Sequence, residues 1–465
     1  MLTYTFEKTG GVSLYEQLYR HIKSDILAGT LAAGEKLPSK RALAAHLEVS
    51  VITVKNAYEQ LIAEGYICGV EKRGYYVMRI DQPLTAASDV TAETVDEPPE
   101  KTWFMDFVTN STAAEYFPFA TWSKLLRQTI LEQDTNLLRP TPSTGAVELR
   151  QAIAAYLHQF RGMTVSPRQI IVGAGTETLY LLLIQLLGRE KCYAVEDPGY
   201  SKIGRIYRSN QVPLRHVALD ESGLSYEALC RTDADVVHIS PSHHYPTGIV
   251  MPITRRHELL RWANEREGRY ILEDDYDSEF RFVGRPIPTL FSDDEHQHVI
   301  YLNTFSKTIA PSIRISYMLL PPRLLEHYRE KLGFYACTVS SFEQYTLAQF
   351  LSRGYYEKHL NRMRKRYHQK RDAVIDCIRT GPLAGRAEIM EQDAGLHFLM
   401  RLDTALPDET LRRRAAAHGL RLALLSDYYQ QREQAPQHVL VVNYSGIEIE
   451  KLPQTLTRLA EIIKE

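Results

Sequence analysis

The sequence predicts an α/β chain in three parts: a small helical head over residues 1–79, a linker over 80–102, and a large domain over 103–465. Three observations carry that division. Apolar residues recur at helical spacing through the first sixty or so positions, punctuated by Gly29, Gly34 and Gly65. Periodicity then stops between Asp81 and Lys101, where Thr, Ala, Pro and acidic residues take over. From Trp103 onward, apolar strand-like runs alternate with helical stretches, the pattern of a mostly parallel sheet covered by helices.

In the head, Leu14, Leu18, Ile22 and Ile26 define a first helix that Gly29 stops. Gly34 to Ser39 reads as a turn, and Ser39 is an N-cap for a short helix carrying Leu43, Ala44 and Leu47. Ser50 caps a third helix with Val54, Ala57, Tyr58, Leu61 and Ile62 on its inner face. Tyr66-Ile67-Cys68 and Tyr75-Tyr76-Val77, joined by Glu71-Lys72-Arg73-Gly74, read as a hairpin. Three helices and a hairpin make a winged helix-turn-helix plan, although a three-helix adaptor would carry the same periodicity. The details resemble the GntR-type DNA-binding domain: Leu37-Pro38-Ser39-Lys40-Arg41, Val49-Ser50 with Thr53-Val54, and Ala57-Tyr58-Glu59-Gln60-Leu61 with Glu64-Gly65-Tyr66. The resemblance implies a double-stranded DNA operator as partner. It implies that Arg41 contacts phosphate, that Ser50, Thr53 and Lys55 face the groove, and that Lys72 and Arg73 ride on the wing. That family usually has an arginine after the serine; here the place holds Val51.

The linker is too polar to bury surface and reads as a tether. About twenty residues at roughly 3.3 Å each span several tens of ångströms, far enough for a head to reach another subunit.

Four stretches of the large domain carry chemistry. Gly173-Ala174-Gly175-Thr176 between a strand and a helix offers free backbone N–H groups to an anion, although tight packing explains such a turn as well. Pro198-Gly199-Tyr200 delivers an aromatic ring to a strand end, or to the core. Glu273-Asp274-Asp275-Tyr276-Asp277 crowds acids at the end of a buried strand, which asks for a cationic partner unless the loop is solvated or binds metal. No histidine cluster accompanies it, so no metal is expected. Thr304-Phe305-Ser306-Lys307, with Arg314 seven residues on, sets one lysine among hydroxyls. Such a lysine is placed to attack a carbonyl while the hydroxyls and the arginine hold a phosphate, the combination that pyridoxal 5'-phosphate (PLP) requires.

Residues 103–465 resemble a fold-type I PLP-dependent aminotransferase, and the whole chain resembles the MocR/GabR transcription factors, which fuse such a domain to a GntR-type head. The run Glu273 to Arg281 and the Thr-Phe-Ser-Lys segment carry that likeness. It implies that Lys307 attaches the cofactor, Asp274 pairs with the pyridine nitrogen, Tyr276 bonds the phenolate oxygen and Tyr200 stacks on the ring. Gly175, Thr176, Thr304, Ser306 and Arg314 would hold the phosphate. It also implies a homodimer. There are departures. Tyr245-Pro246-Thr247-Gly248 stands where aminotransferases have Asn-Pro-Thr-Gly, and Lys202 stands where the GABA-sensing member has an effector-binding arginine. No anchoring arginine is evident around Asn443; Arg421 is a nearby candidate.

Composition agrees with this reading. Net charge is −2 over 465 residues, so DNA binding must come from a local patch. The five cysteines are scattered without a CxxC pair, no apolar run is long enough to span a membrane, and no signal-peptide pattern opens the chain. The protein is expected in the cytoplasm. The expected function is a PLP-dependent transcriptional regulator that senses an amino compound or PLP itself. A working aminotransferase with an accessory DNA-binding head is the alternative, and the weakened carboxylate clamp argues for slow turnover at most.

Overall fold

The computed structural model describes residues 2–6, 12–80, 102–109, 114–132, 134–282 and 287–464. Nearly all of the expected linker lies outside the described residues. The chain divides into two compact units, Met1–Glu100 and Lys101–Glu465.

The head contains α1 (Leu14–Leu27), β1 (Lys36–Leu37), α2 (Lys40–His46), α3 (Val51–Ala63), β2 (Ile67–Val70) and β3 (Gly74–Val77). Leu18, Ile22 and Ile26 recur one turn apart on α1 and meet Leu43, Val54, Ala57, Tyr58 and Leu61 in one buried cluster. Both predicted caps form: Ser39 Oγ accepts from the Ala42 N–H at 3.2 Å, and Ser50 Oγ from the Thr53 N–H at 3.0 Å. The stretch expected as a plain turn, Gly34 to Ser39, contains a strand. Leu37 is drawn into the core, and β1 joins the open edge of β3 in a three-stranded order β1-β3-β2.

The large unit holds an eight-stranded sheet. Its order is Ile170–Gly173, Ser316–Leu319, Val299–Thr304, Tyr270–Asp275, Val236–Ile239, Tyr193–Asp197, Leu214–Asp220 and Gly223–Leu224. From Val299–Thr304 through Leu214–Asp220 the pairs are parallel, and the central strands are buried along their length, as a doubly covered sheet requires. Ser316 pairs with both Thr304 and Gly173, so those two strand ends lie at one edge. In register, Asp274 stands beside Leu302 on the neighbouring strand. A three-stranded antiparallel sheet, Ala387–Met390, His397–Leu402 and Val439–Asn443, packs with the helix Tyr355–Thr380 into the same core as the helix Val147–Arg161. Among the described residues no helix is long and apolar enough to cross a membrane.

The two units have separate cores, so they should respond separately to a core deletion. Leu61→Ala, at a fully buried head position, should cost the head about 2–5 kcal/mol. Calorimetry of the full-length protein should show the head transition fall while that of the large unit stays.

Candidate functional site

At the shared strand edge lies a cavity of about 490 Å³. Thr176, Tyr200, Lys202, Asp274, Tyr276, Thr304, Ser306, Lys307 and Arg314 all line it, although they come from four separate segments.

Asp274 is buried, and its two oxygens differ. Oδ2 accepts from the Tyr180 hydroxyl and lies 3.5 Å from His238 Nε2, while Tyr207 holds the other ring nitrogen of His238 at 2.8 Å. Oδ1 has no hydrogen-bond partner among the described residues. A buried acceptor left open asks for an N–H donor, and a pyridinium supplies one. Among the described residues, Ser306 Oγ is a second buried polar atom without a partner. Lys307 retains some exposure to the cavity, yet the surrounding protein displaces enough water to push its ammonium pKa down, against the pull of the Asp277 charge. A lowered pKa leaves more of the amine unprotonated, the form that attacks a carbonyl.

The end of the cavity at Thr176 and Arg314 is equally specific. Gly175, at φ +89°, precedes the helix Thr176–Leu187, and the Arg314 guanidinium lies so close that a Cβ on Gly175 would collide with it. Arg314 itself is held at φ +49°. Thr304 is committed elsewhere: its hydroxyl accepts from the Ser306 N–H at 3.1 Å and from Ser316 Oγ at 2.8 Å, tying the turn. Glu177, which sequence reasoning passed over, bridges Lys202 and Arg314 through its two oxygens. Together these groups fit PLP: an amine, an open carboxylate oxygen and a cationic helix N-terminus converge in one cavity.

Tyr276 lines the cavity with His243 Nδ1 3.3 Å from its hydroxyl, and Asp277 holds that same nitrogen at 3.0 Å. His243, Asp277 and His397 come close enough for a metal ion, but His243 is bonded to Asp277 and His397 Nε2 to the Pro246 carbonyl. Tyr200 is about half exposed and meets Tyr245 edge-on at 5.8 Å. Tyr245 in turn shares a 2.7 Å hydrogen bond with Tyr428. Tyr428 and Gln430 also bond the Asp197–Gly199 turn, so the C-terminal segment closes one side of the cavity. No spacing in the sequence could have found that contact across more than two hundred residues. Arg421 is not among the lining residues; it pairs with Asp106 at 3.1 Å. Asn443 does line the cavity, with its amide spent on the Phe107 and Val108 carbonyls.

In the head, Arg41 is exposed on α2, and Lys72 and Arg73 are exposed at the tip between β2 and β3, Lys72 at φ +58°. Ser50 and Thr53 share a 2.8 Å hydroxyl contact, and Lys55 Nζ lies 3.7 Å from Glu59.

Residues 14–77 match the bacterial regulatory proteins of the gntR family, and residues 109–438 match aminotransferase class I and II. The chain is 35% identical over 459 residues to the uncharacterized HTH-type transcriptional regulator YdeL of Bacillus subtilis, covering 98% of both chains. It is 31% identical over 469 residues to the probable rhizopine catabolism regulatory protein MocR of Rhizobium meliloti, covering 97% of this chain and 94% of that one. In fold it is similar to a kynurenine aminotransferase of Pyrococcus horikoshii, with a TM-score of 0.69 at 23% identity over 79% of this chain and 91% of that one.

Burial pushes the Glu196 carboxyl up to about 8, with the Asp274 charge adding to it, against an ordinary value of 4.5. The native state therefore binds more protons than the unfolded chain between those two values, and this group's contribution to stability falls as pH rises through that window. In the cofactor-free protein, Glu196→Gln should match the parent in acid and exceed it in stability by about pH 9. Urea midpoints at both ends would check this. For the head, Arg41→Ala should weaken DNA binding about equally across sequences and lower the salt slope by roughly one phosphate contact. Salt titrations of affinity with an unchanged slope would show that Arg41 makes no ionic contact.

Proposed function

Because the chain belongs to the MocR/GabR family of transcriptional regulators, we propose that this DNA-binding regulator holds PLP on Lys307 and uses that site to sense an amino compound or PLP itself. The observation that carries the reading is the open Oδ1 of buried Asp274 in the same cavity as the depressed-pKa amine of Lys307. When bound, the cofactor supplies a carbonyl that captures amines and a ring that withdraws electrons.

The chain's own groups have distinct tasks in this reading. Lys307 presents the amine, which burial makes easier to deprotonate. Asp274, anchored by Tyr180 and flanked by His238, offers its open oxygen to the ring nitrogen. Tyr276 donates to the phenolate oxygen, with His243 and Asp277 orienting it. Gly175, Thr176, Ser306 and Arg314 receive the phosphate, and Tyr200 covers the ring face. Lys202 is the cation available for an effector's anionic end, once Glu177 is shared with or released from it. Arg421 drops out of that role, since Asp106 already neutralises it. The protein acts as a cytoplasmic homodimer whose two heads meet a repeated half-site.

Borohydride should trap one covalent adduct on the wild-type protein, and Lys307→Ala should abolish it. Operator affinity measured with and without PLP, and with a panel of amino compounds, should change for the wild type and stay fixed for the variant. An adduct that persists on the variant assigns another lysine. Operator affinity indifferent to every addition would overturn sensing, and an intact PLP-bound protein that stays monomeric at micromolar concentration would overturn the dimer.

A further inference from the structure

The start of α3 is apolar where a groove-reading helix commonly carries polar groups. Val51 and Ile52 are its first two residues, 47% and 68% exposed, and Ile52 is the most exposed large hydrophobic side chain among the described residues of the head. The polar neighbours are engaged with one another. Ser50 Oγ caps the Thr53 N–H and meets the Thr53 hydroxyl, and Lys55 lies beside Glu59. Val51 and Ile52 have no such duty in the head: the buried cluster is built from Val54, Ala57, Tyr58 and Leu61 of this helix.

In a helix-turn-helix, the first residues of the second helix are the ones that touch base edges in the major groove. Only thymine marks that edge with a methyl group; guanine, adenine and cytosine present acceptors and donors there. An apolar side chain set against those polar edges leaves them without partners, which costs affinity, whereas set against a methyl it removes apolar surface from water. Valine and isoleucine suit this use, because their branched side chains hold few rotamers and lose little freedom on contact. The exposed cations Arg41, Lys55, Lys72 and Arg73 of the same head match the charge of the duplex backbone. We propose that Val51 and Ile52 read thymine 5-methyl groups in the major groove of the operator. Each half-site then carries T·A pairs at the start of α3, where an arginine at position 51 would have favoured guanine.

The test uses the full-length protein. A random duplex library is selected for binding, and the selected duplex is remade with each thymine replaced in turn by deoxyuridine, which removes the methyl alone. At one or two thymines per half-site, wild-type affinity should fall roughly three- to fivefold, the value of one buried methyl. Val51→Ala and Ile52→Ala, each melting like the parent because both positions are exposed, should each lose that discrimination at one of those thymines. The proposal is overturned if no thymine-to-deoxyuridine change costs more than about twofold, if the variants discriminate as the wild type does, or if selection enriches no sequence. Variants that bind thymine and deoxyuridine duplexes equally weakly while the wild type does not discriminate would assign these side chains to a protein contact instead.

Discussion

Asp274 is a carboxyl group that the fold buries with one of its two oxygens left without a hydrogen-bond partner among the described residues. A carboxylate in that position costs several kilocalories per mole unless hydrogen bonds and an opposite charge meet it. Tyr180 donates to one oxygen, His238 Nε2 lies 3.5 Å from that same oxygen, and the other is left open. Tyr180 comes from the helix Thr176–Leu187, His238 from the strand next to that of Asp274, and Tyr207 behind His238 from the helix Ser201–Ser209. The order of the strands brings these elements together, and the same edge carries Gly173, Thr304 and the lysine turn. Ligands of open α/β sheets gather at such edges because strand ends and helix N-termini point their unpaired groups there.

Electrostatics at the mouth follow from the same arrangement. Two cations, Lys202 and Arg314, share the single carboxylate of Glu177, so their charge is partly quenched before any anion arrives. In the proposed reading, a phosphate at Arg314 would compete with that carboxylate and so alter what Lys202 can hold. A lysine suits that shared role, since its point charge has no preferred bidentate geometry.

The head and the large unit divide the work along chemical lines. The large unit collects buried, unpaired polar groups around one amine. The head does the reverse: Ser50 pairs with Thr53 and Lys55 lies beside Glu59, while Arg41, Lys72 and Arg73 and the apolar side chains of Val51 and Ile52 stay exposed for a partner. The match to gntR-family regulators over residues 14–77 gives that partner as DNA.

Local signals were legible in the sequence. The helices of the head, their Ser39 and Ser50 caps, the stops at Gly29 and Gly65, and the Asp274 and Lys307 motifs at strand ends each depend on neighbours a few positions away. Short-range periodicity and capping express such dependence directly. The strand at Lys36–Leu37 was not legible, because it exists only through pairing with β3. The same holds for Tyr180 and His238 behind Asp274, for the Glu177 bridge, for the closure of the cavity by Tyr428 and Gln430, and for the diversion of Arg421 to Asp106. The sequence by itself determined which chemistry the chain carries, because an amine, a carboxylate and a cation are properties of single residues. Only the tertiary structure decided which of them remain unpaired, because pairing depends on distances between segments that are remote along the chain.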